Sequence, residues 1–284
     1  MAEDKKVEEP AEKPEPIVKK DLWTLITGAS SGIGYSYARR LARQGYSLVL
    51  VARRQERLES LANDLKVQHG TISKVIVADL ATDTGIKKVE RAIAKGPTID
   101  MLINNAGFGT QGNFVDVDLK KHLDMLHVHI NATVRLTYAA LPAMIEQKSG
   151  VIINVSSMGA FMASPGGAIY NPTKSFLNMF SEIIQKENID NGITVQALCP
   201  GFTHTNFHEV GDFEGFDRSV VDDQYWMSAE AVVDESLQAL DKGKVVLVPG
   251  SKNRMFITAF QNPATRPLAI YMAKRAGKRS RDGK

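Results

Sequence analysis

Tyr170 and Lys174 stand four residues apart in the stretch Tyr-Asn-Pro-Thr-Lys, and Ser157 precedes Tyr170 by thirteen. In a helix, a spacing of four puts the phenol and the ammonium on one face. A fixed cation there stabilises a phenolate, so the tyrosine can give and take a proton near neutral pH. The free phenol titrates at ~10, and bringing it to ~7 requires roughly 4 kcal/mol from its surroundings. Taken singly, each residue also fits a plainer role: Ser157 capping a strand end, Lys174 as a surface charge, Tyr170 as a core aromatic. The joint spacing favours chemistry.

Such a pair needs a partner held beside it, and the N-terminal part offers a place. Thr27-Gly28-Ala29-Ser30-Ser31-Gly32-Ile33-Gly34 follows a short apolar run, Leu22 to Ile26, and opens a helical pattern (Ile33, Tyr37, Ala38, Leu41, Ala42) that ends at Gly45. Strand, glycine loop and helix in that order form a phosphate site. Glycines let the backbone approach a pyrophosphate, and the helix start supplies N–H donors and a favourable dipole. The spacing Gly-x-x-x-Gly-x-Gly differs from the general Gly-x-Gly-x-x-Gly fingerprint. A tight turn into a helix would use the same glycines.

The next apolar run, Leu48 to Ala52, is followed by Arg53 and Arg54 where a site for NAD carries an acid. A guanidinium can bind a 2′-phosphate with paired, charge-assisted hydrogen bonds. NADP(H) is therefore the expected cofactor, with Arg53 favoured over Arg54, which fits the solvated start of a helix over Arg54 to Gln68.

Together these pieces resemble the short-chain dehydrogenase/reductase family from about Leu22 to Pro249. The ordered motifs are the glycine loop, Asp79-Leu80, Asn104-Asn105-Ala106-Gly107, Ile153-Asn154-Val155-Ser156-Ser157, Tyr170 with Lys174, and Pro200-Gly201-Phe202-Thr203-His204-Thr205. The resemblance implies that Asp79 and Leu80 contact the adenine and that Asn105, Ala106 and Gly107 line the cofactor cleft. It sets Pro200, Gly201, Thr203 and Thr205 beside the nicotinamide carboxamide. Ser157 would hold the substrate oxygen, Tyr170 would donate or accept the proton, and Lys174 would hold the nicotinamide ribose and lower the Tyr170 pKa. The implied activity interconverts a carbonyl and an alcohol by hydride transfer.

One position departs from that pattern. The family usually carries an asparagine in the long helix before the serine strand, holding a water that links the lysine to solvent. Counting from Pro142 and Ser157 places His129 there, with Asn131 two residues on. Two residues turn a helix by about 200°, which points Asn131 away. Either His129 replaces the asparagine, or a local register change brings Asn131 in. Imidazole can bond a water and is itself titratable. In the plainer reading the backbone carbonyl matters most and His129 is a tolerated substitute.

Composition agrees with one α/β domain of 284 residues. Apolar residues make up 43% and charged residues 24%, as in a soluble globular chain. A net charge of +3 is too small to argue for a nucleic-acid ligand. No apolar run reaches the ~18 residues of a transmembrane span. The single cysteine, Cys199, excludes an intramolecular disulfide and reads as buried filler. Apolar runs at Lys74–Ala78, Met101–Ile103, Val151–Val155, Ile193–Leu198 and Val245–Val248 alternate with helical segments. That alternation predicts a Rossmann-type, doubly wound parallel sheet of about seven strands, with helices on both faces, in a single domain.

Residues 1–20 read as a disordered tail: seven carboxylates through Asp21, five lysines and three prolines cannot bury a core. They lack a signal peptide's apolar stretch and are too acidic for a transit peptide, so the expected compartment is the cytoplasm. The catalytic domain is expected over 21–252 and a C-terminal extension over 253–284, where seven Lys or Arg from Arg266 onward face one acid, Asp282. The apolar segment Met255–Met272 either packs on protein or rests on an anionic membrane surface; Pro263 and Pro267 argue for packing. Family members often pair through helices here placed at Leu119–Ile145 and Tyr170–Asn188, which implies a homodimer or homotetramer.

The histidines do not read as a metal site. His122, His127 and His129 do not share one helical face, and His204 and His208 near Glu209 lack a third convergent ligand. Around the expected pocket stand Phe108, Phe114, Met158, Phe161, Met162, Phe202, Phe207, Tyr225, Trp226 and Met227. They favour a small-molecule carbonyl or alcohol substrate that is apolar and fairly bulky, with sterol-like or 3-oxoacyl compounds as examples. A second reading is an NADPH-binding sensor or scaffold with little turnover.

Overall fold

The computed structural model describes residues 22–205, 221–267 and 270–271. A sheet buried on both faces needs strands that are apolar on consecutive residues, with neighbours pointing to opposite sides. β1 (Trp23–Thr27), β2 (Ser47–Ala52), β4 (Ile99–Asn104), β5 (Gly150–Val155) and β6 (Ile193–Leu198) meet that demand. The edge strand β3 (Ser73–Val77), with Lys74 exposed, and a short strand at Val246–Leu247 complete one seven-stranded sheet. All its pairings are parallel. In β1, Leu25 packs with Val49, Leu102 and Ile152 in one core layer, while Ile26 packs with Leu50, Ile103 and Ile153 in the other.

The helices cover these two layers. α1 (Gly32–Arg43), α2 (Gln55–His69) and a helix at Ala229–Leu240 cover the Ile26 face through Tyr37, Leu41, Leu58 and Val232. α3 (Asp83–Lys95), α4 (Leu119–Leu126) and α5 (Ala132–Gln147) lie on the other side, where Ile86, Leu136 and Met144 join the Leu25 layer. Arg135 fastens α5 to α3 with a two-pronged bond to Glu90, 2.7 and 2.6 Å, and a third contact to Asp83. The sheet order is β3-β2-β1-β4-β5-β6, then Val246–Leu247. Its direction of growth reverses between β1 and β4, where ligands of open α/β sheets collect beyond the carboxyl ends of the strands. The doubly wound, single-domain expectation is met.

Three features go beyond the sequence reading. A second, two-stranded sheet pairs β7 (Thr203–His204) with β8 (Met227–Ser228). Between α4 and α5 the chain makes a π turn over His127–Asn131. The last helix in this region starts at Ser251 and ends at Gln261, so it runs across the boundary drawn at 252/253. It buries Asn253 and Ile257 on its own chain while Met255 stays exposed. No described helix is long and apolar enough to cross a membrane. The tail at 1–20, most of the basic C-terminal end, Phe207, His208 and Glu209 lie outside the described residues.

Candidate active site

The glycine loop leaves β1 at Thr27 and turns under Asn105. Gly28 has φ +67°, and a methyl group there would stand 2.7 Å from Asn105 Nδ2. Both the left-handed backbone and the close approach demand glycine. Asn105 Nδ2 donates to the Thr27 carbonyl at 2.8 Å, and the Asn105 and Ala106 N–H groups donate to Thr27 Oγ1 at 2.9 Å each. The loop and the Asn-Asn-Ala-Gly segment are therefore one rigid piece. Asn104 points inward instead, donating to Asn154 Oδ1 at 2.9 Å.

At the end of that loop α1 begins on Gly32, with no side-chain cap from Ser31 and no acid in its first turn. Its leading N–H donors and positive dipole end thus face an anion site without an internal competitor. Arg54 closes one side, its Nη2 donating to the hydroxyls of Ser30 at 2.9 Å and Ser31 at 2.8 Å. Burial, then the charges of Arg57 and Arg53, pull its pKa below the usual guanidinium value. Both arginines are exposed, and the one expected to be solvated, Arg54, is the one hydrogen-bonded to the loop. Side-chain direction alternates at a strand end, so one residue of register decides which arginine faces the loop.

Other predicted residues gather on the same edge. Thr205 lies against the loop, its Cβ 3.3 Å from where a methyl on Gly32 would sit. Pro200 accepts from the Met158 N–H at 2.9 Å, tying the segment after β6 to the turn that follows Ser157. Thr203 donates to the Gly201 carbonyl at 3.1 Å. Asp79 Oδ1 accepts from Ala81 N–H, next to buried Leu80, at the end of β3.

α6 (Tyr170–Glu187) starts on the tyrosine itself, and Pro172 sits in its first turn, where a missing N–H costs nothing. Lys174 follows one turn later and is 4% exposed. Its Nζ donates to the Val155 carbonyl at 2.9 Å and stands over the Tyr170 ring, 5.6 Å from the centroid. Ser156, not anticipated as a functional residue, donates to the Lys174 carbonyl at 2.8 Å and pins the helix to β5. Ser157 accepts from Gly159 N–H at 3.0 Å and shares a hydrogen bond with the Tyr170 phenol. Serine, phenol and ammonium converge as the spacing implied.

The electrostatics depart from expectation. Burial raises the Tyr170 phenol above its ordinary pKa, and the Ser157 hydrogen bond only partly offsets that. Burial also lowers Lys174 to about 8. The lysine charge is expected to pull the tyrosine down; here desolvation dominates, and the lowering contribution comes from the Ser157 hydrogen bond. Cys199 is buried, donates to Asn178 Oδ1 at 3.2 Å and is raised to about 12 by burial, so it stays a thiol.

His129 is 1% exposed and faces this centre, whereas Asn131 is exposed and bonds the His127 ring at 3.3 Å. His129 thus takes the inward position. The other histidines are spread out: His122 on the Phe114 carbonyl, His204 stacked on Trp226 with centroids 5.0 Å apart. Among the described residues no three metal-binding side chains converge. Phe202 packs on Trp226, and Tyr225 on Phe256, giving the C-terminal side of this edge an apolar, aromatic lining. Thr173, which bonds His129, also escaped the sequence reading; its one signal was its place in the first turn after Tyr170.

A very-long-chain 3-oxoacyl-CoA reductase of Anas platyrhynchos is 35% identical over 192 residues, 66% of this chain and 62% of that protein. The chain therefore matches less than two thirds of that relative's length. Among solved structures, a short-chain dehydrogenase from Sphingobium yanoikuyae in complex with NADPH superposes with a TM-score of 0.76 at 32% identity, covering 89% of this chain and 94% of its own. A bulky-bulky ketone specific alcohol dehydrogenase from Comamonas testosteroni gives 0.71 at 32% identity, covering 80% and 86%. The short chain dehydrogenase family model matches residues 22–212, from the first strand past the Pro200–Thr205 segment. The chain belongs to the short-chain dehydrogenase/reductase family.

Proposed function

We propose that the protein is an NADP(H)-dependent oxidoreductase that interconverts a carbonyl and an alcohol on an apolar substrate. The carrying observation is the convergence of Ser157, Tyr170 and Lys174 beside a glycine loop whose helix start is uncapped and flanked by Arg54. These residues fit a dinucleotide: N–H donors and a cation for phosphates, and the Asn105–Gly107 and Pro200–Thr205 segments on either side. When bound, the cofactor supplies or takes the hydride.

The chain's own part is positioning and proton traffic. Ser157 Oγ and Tyr170 Oη together hold the substrate oxygen, and Tyr170 Oη gives its proton to that oxygen in reduction and receives it in oxidation. A phenol raised by burial is fully protonated at neutral pH, the form reduction needs. Lys174, next to the ring, opposes the charge that appears when the proton leaves. Phe202, Tyr225 and Phe256, backed by buried Trp226, supply apolar surface for a bulky partner. The ketone and 3-oxoacyl specificities of the relatives, and the NADPH of the Sphingobium enzyme, support the same reading. Exposed Tyr138 on α5 and Phe176, Met179 and Ile183 on α6 support pairing of two copies through these helices.

The test is titration with NADPH and NADH by nicotinamide fluorescence, followed by turnover of bulky ketones and 3-oxoacyl thioesters. NADPH preference with turnover is expected. Binding without turnover of any of them would overturn the enzyme reading in favour of a sensor.

A further inference from the structure

In the π turn between α4 and α5, Ala132 N–H donates to the His127 carbonyl, five residues back. Such single π turns interrupt the helical register and recur where a side chain must be re-aimed. Here His129 faces inward at 1% exposure, against the cleft segment and α6. A methyl group on Gly107 would lie 2.9 Å from His129 Nε2. The ring therefore fills the space that this glycine leaves.

The ring's hydrogen bonds have only one consistent direction. Phe108 N–H, which can only donate, points at Nε2 from 3.2 Å. Nε2 must then be the lone-pair nitrogen, and the proton belongs on Nδ1. Nδ1 lies 2.9 Å from Thr173 Oγ1, and that hydroxyl donates to the Tyr170 carbonyl at 2.7 Å. The chain runs Phe108 N–H to His129, His129 to Thr173, and Thr173 to Tyr170. It links the backbone of the cleft segment to the first turn of the helix that carries Tyr170 and Lys174.

We propose that His129 is a positioning residue, an imidazole fixed in its Nδ1-protonated form that sets the start of α6 against the Asn105–Phe108 segment. The inference rests on the reading of Tyr170 as the proton donor for its kinetic consequences, though not for its structural content. A proton relay through this ring would need a second proton on Nε2. That site is taken by the Phe108 N–H. The titratable groups facing the ring are Lys174, whose ammonium repels a second charge, and Tyr170, edge-on with centroids 5.7 Å apart. Phe108 and Gly107 on the cleft segment bring no charge. Burial first, and the Lys174 charge second, hold the His129 pKa well below its ordinary value. The ring works without titrating.

Nitrogen-15 NMR of histidine-labelled protein tests this directly, with the His129 signals identified by their loss in His129→Asn. Nδ1-protonated shifts that stay constant from about pH 5.5 to about 8.5 are expected. A titration within that span, or the Nε2-protonated form, overturns the proposal. This result holds whether or not the chain reduces any carbonyl compound, so the two readings fail separately. The kinetic test compares Thr173→Val, which keeps the shape, with Thr173→Ser, which keeps the hydroxyl. For Val, kcat is expected to fall about tenfold with smaller changes in KM and unmoved pH limbs, and Ser should recover most of it. Parent-like kcat in Thr173→Val, or displaced pH limbs in His129→Asn, would contradict the clamp.

Discussion

Arg54 donates to the Ser31 hydroxyl across the mouth of the glycine loop, 2.8 Å away, immediately before α1 begins without a side-chain cap. A fixed cation beside uncapped N–H groups is a ready partner for a 2′-phosphate. A charge-assisted hydrogen bond of about 1.5–3 kcal/mol corresponds to roughly 10–100-fold in affinity. Arg54→Ala is expected to weaken NADPH by that factor and NADH by less than about threefold. Arg53→Ala should do less, since Arg54 is the arginine hydrogen-bonded to the loop serines. Fluorescence titration of both variants decides between the two arginines; the reverse order would restore Arg53.

Tyr170→Phe removes only the phenolic oxygen, and the remaining ring can still pack under Lys174. Turnover should fall at least about a thousandfold, while NADPH affinity stays within about threefold of the parent. Binding titration and single-turnover rates on the same preparation check both halves. Retained turnover would remove Tyr170 from the proton-donor role.

The strands and the Ser–Tyr–Lys convergence were legible because both rest on short-range rules. A strand buried on both faces is a run of apolar residues, as in Leu48–Ala52, and a spacing of four on a helix fixes Tyr170 and Lys174 on one face. β7 was not legible: two residues, Thr203 and His204, carry no periodicity. Nor was the π turn, because a 3.6-residue count has no mark for a local change to five-residue bonds. His129 nonetheless faces inward, as the count has it, because burial against the cleft segment and α6 fixes its ring while Asn131 is left exposed. Arg53 and Arg54 differ by one step at a strand end, and tertiary contact with Ser30 and Ser31 settles their directions. The pKa order was illegible for another reason: it depends on how deeply Tyr170 and Lys174 are buried, which spacing does not reveal.

Lys174 gives a pH signature in stability. Its pKa is lowered from 10.5 to about 8 in the folded chain, so the unfolded chain holds the proton more tightly between those values. Stability contributed by this group therefore rises with pH from about 8 to about 10.5, and below 8 the full cost of burying the ammonium is present. Cys199 acts oppositely: its pKa is raised from 9.0 to about 12, and stability falls as pH rises above its unfolded value. The difference between parent and Lys174→Met isolates the lysine. Urea unfolding from pH 7 to 10 should show the parent gaining on the variant as pH rises. A constant difference would mean that Lys174 keeps an ordinary pKa in the fold.

Gly107 and His129 should be energetically coupled. A methyl on Gly107 would lie 2.9 Å from His129 Nε2 and 3.4 Å from Cδ2, and 3.5 Å from Lys174 Nζ. The ring has no easy retreat, because its other nitrogen is held by Thr173 at 2.9 Å. Gly107→Ala is thus expected to cost about 1–3 kcal/mol, as overpacking of a filled interior does. Asparagine at 129 is shorter and leaves room for that methyl, although it gives up the tie to Thr173. The double variant Gly107→Ala, His129→Asn should then be less destabilised than the sum of the single variants, by a coupling of about 0.5–3 kcal/mol. Urea unfolding of the four proteins measures it. Strict additivity would show that the cleft segment shifts to admit the methyl, and that the ring and Gly107 do not constrain one another.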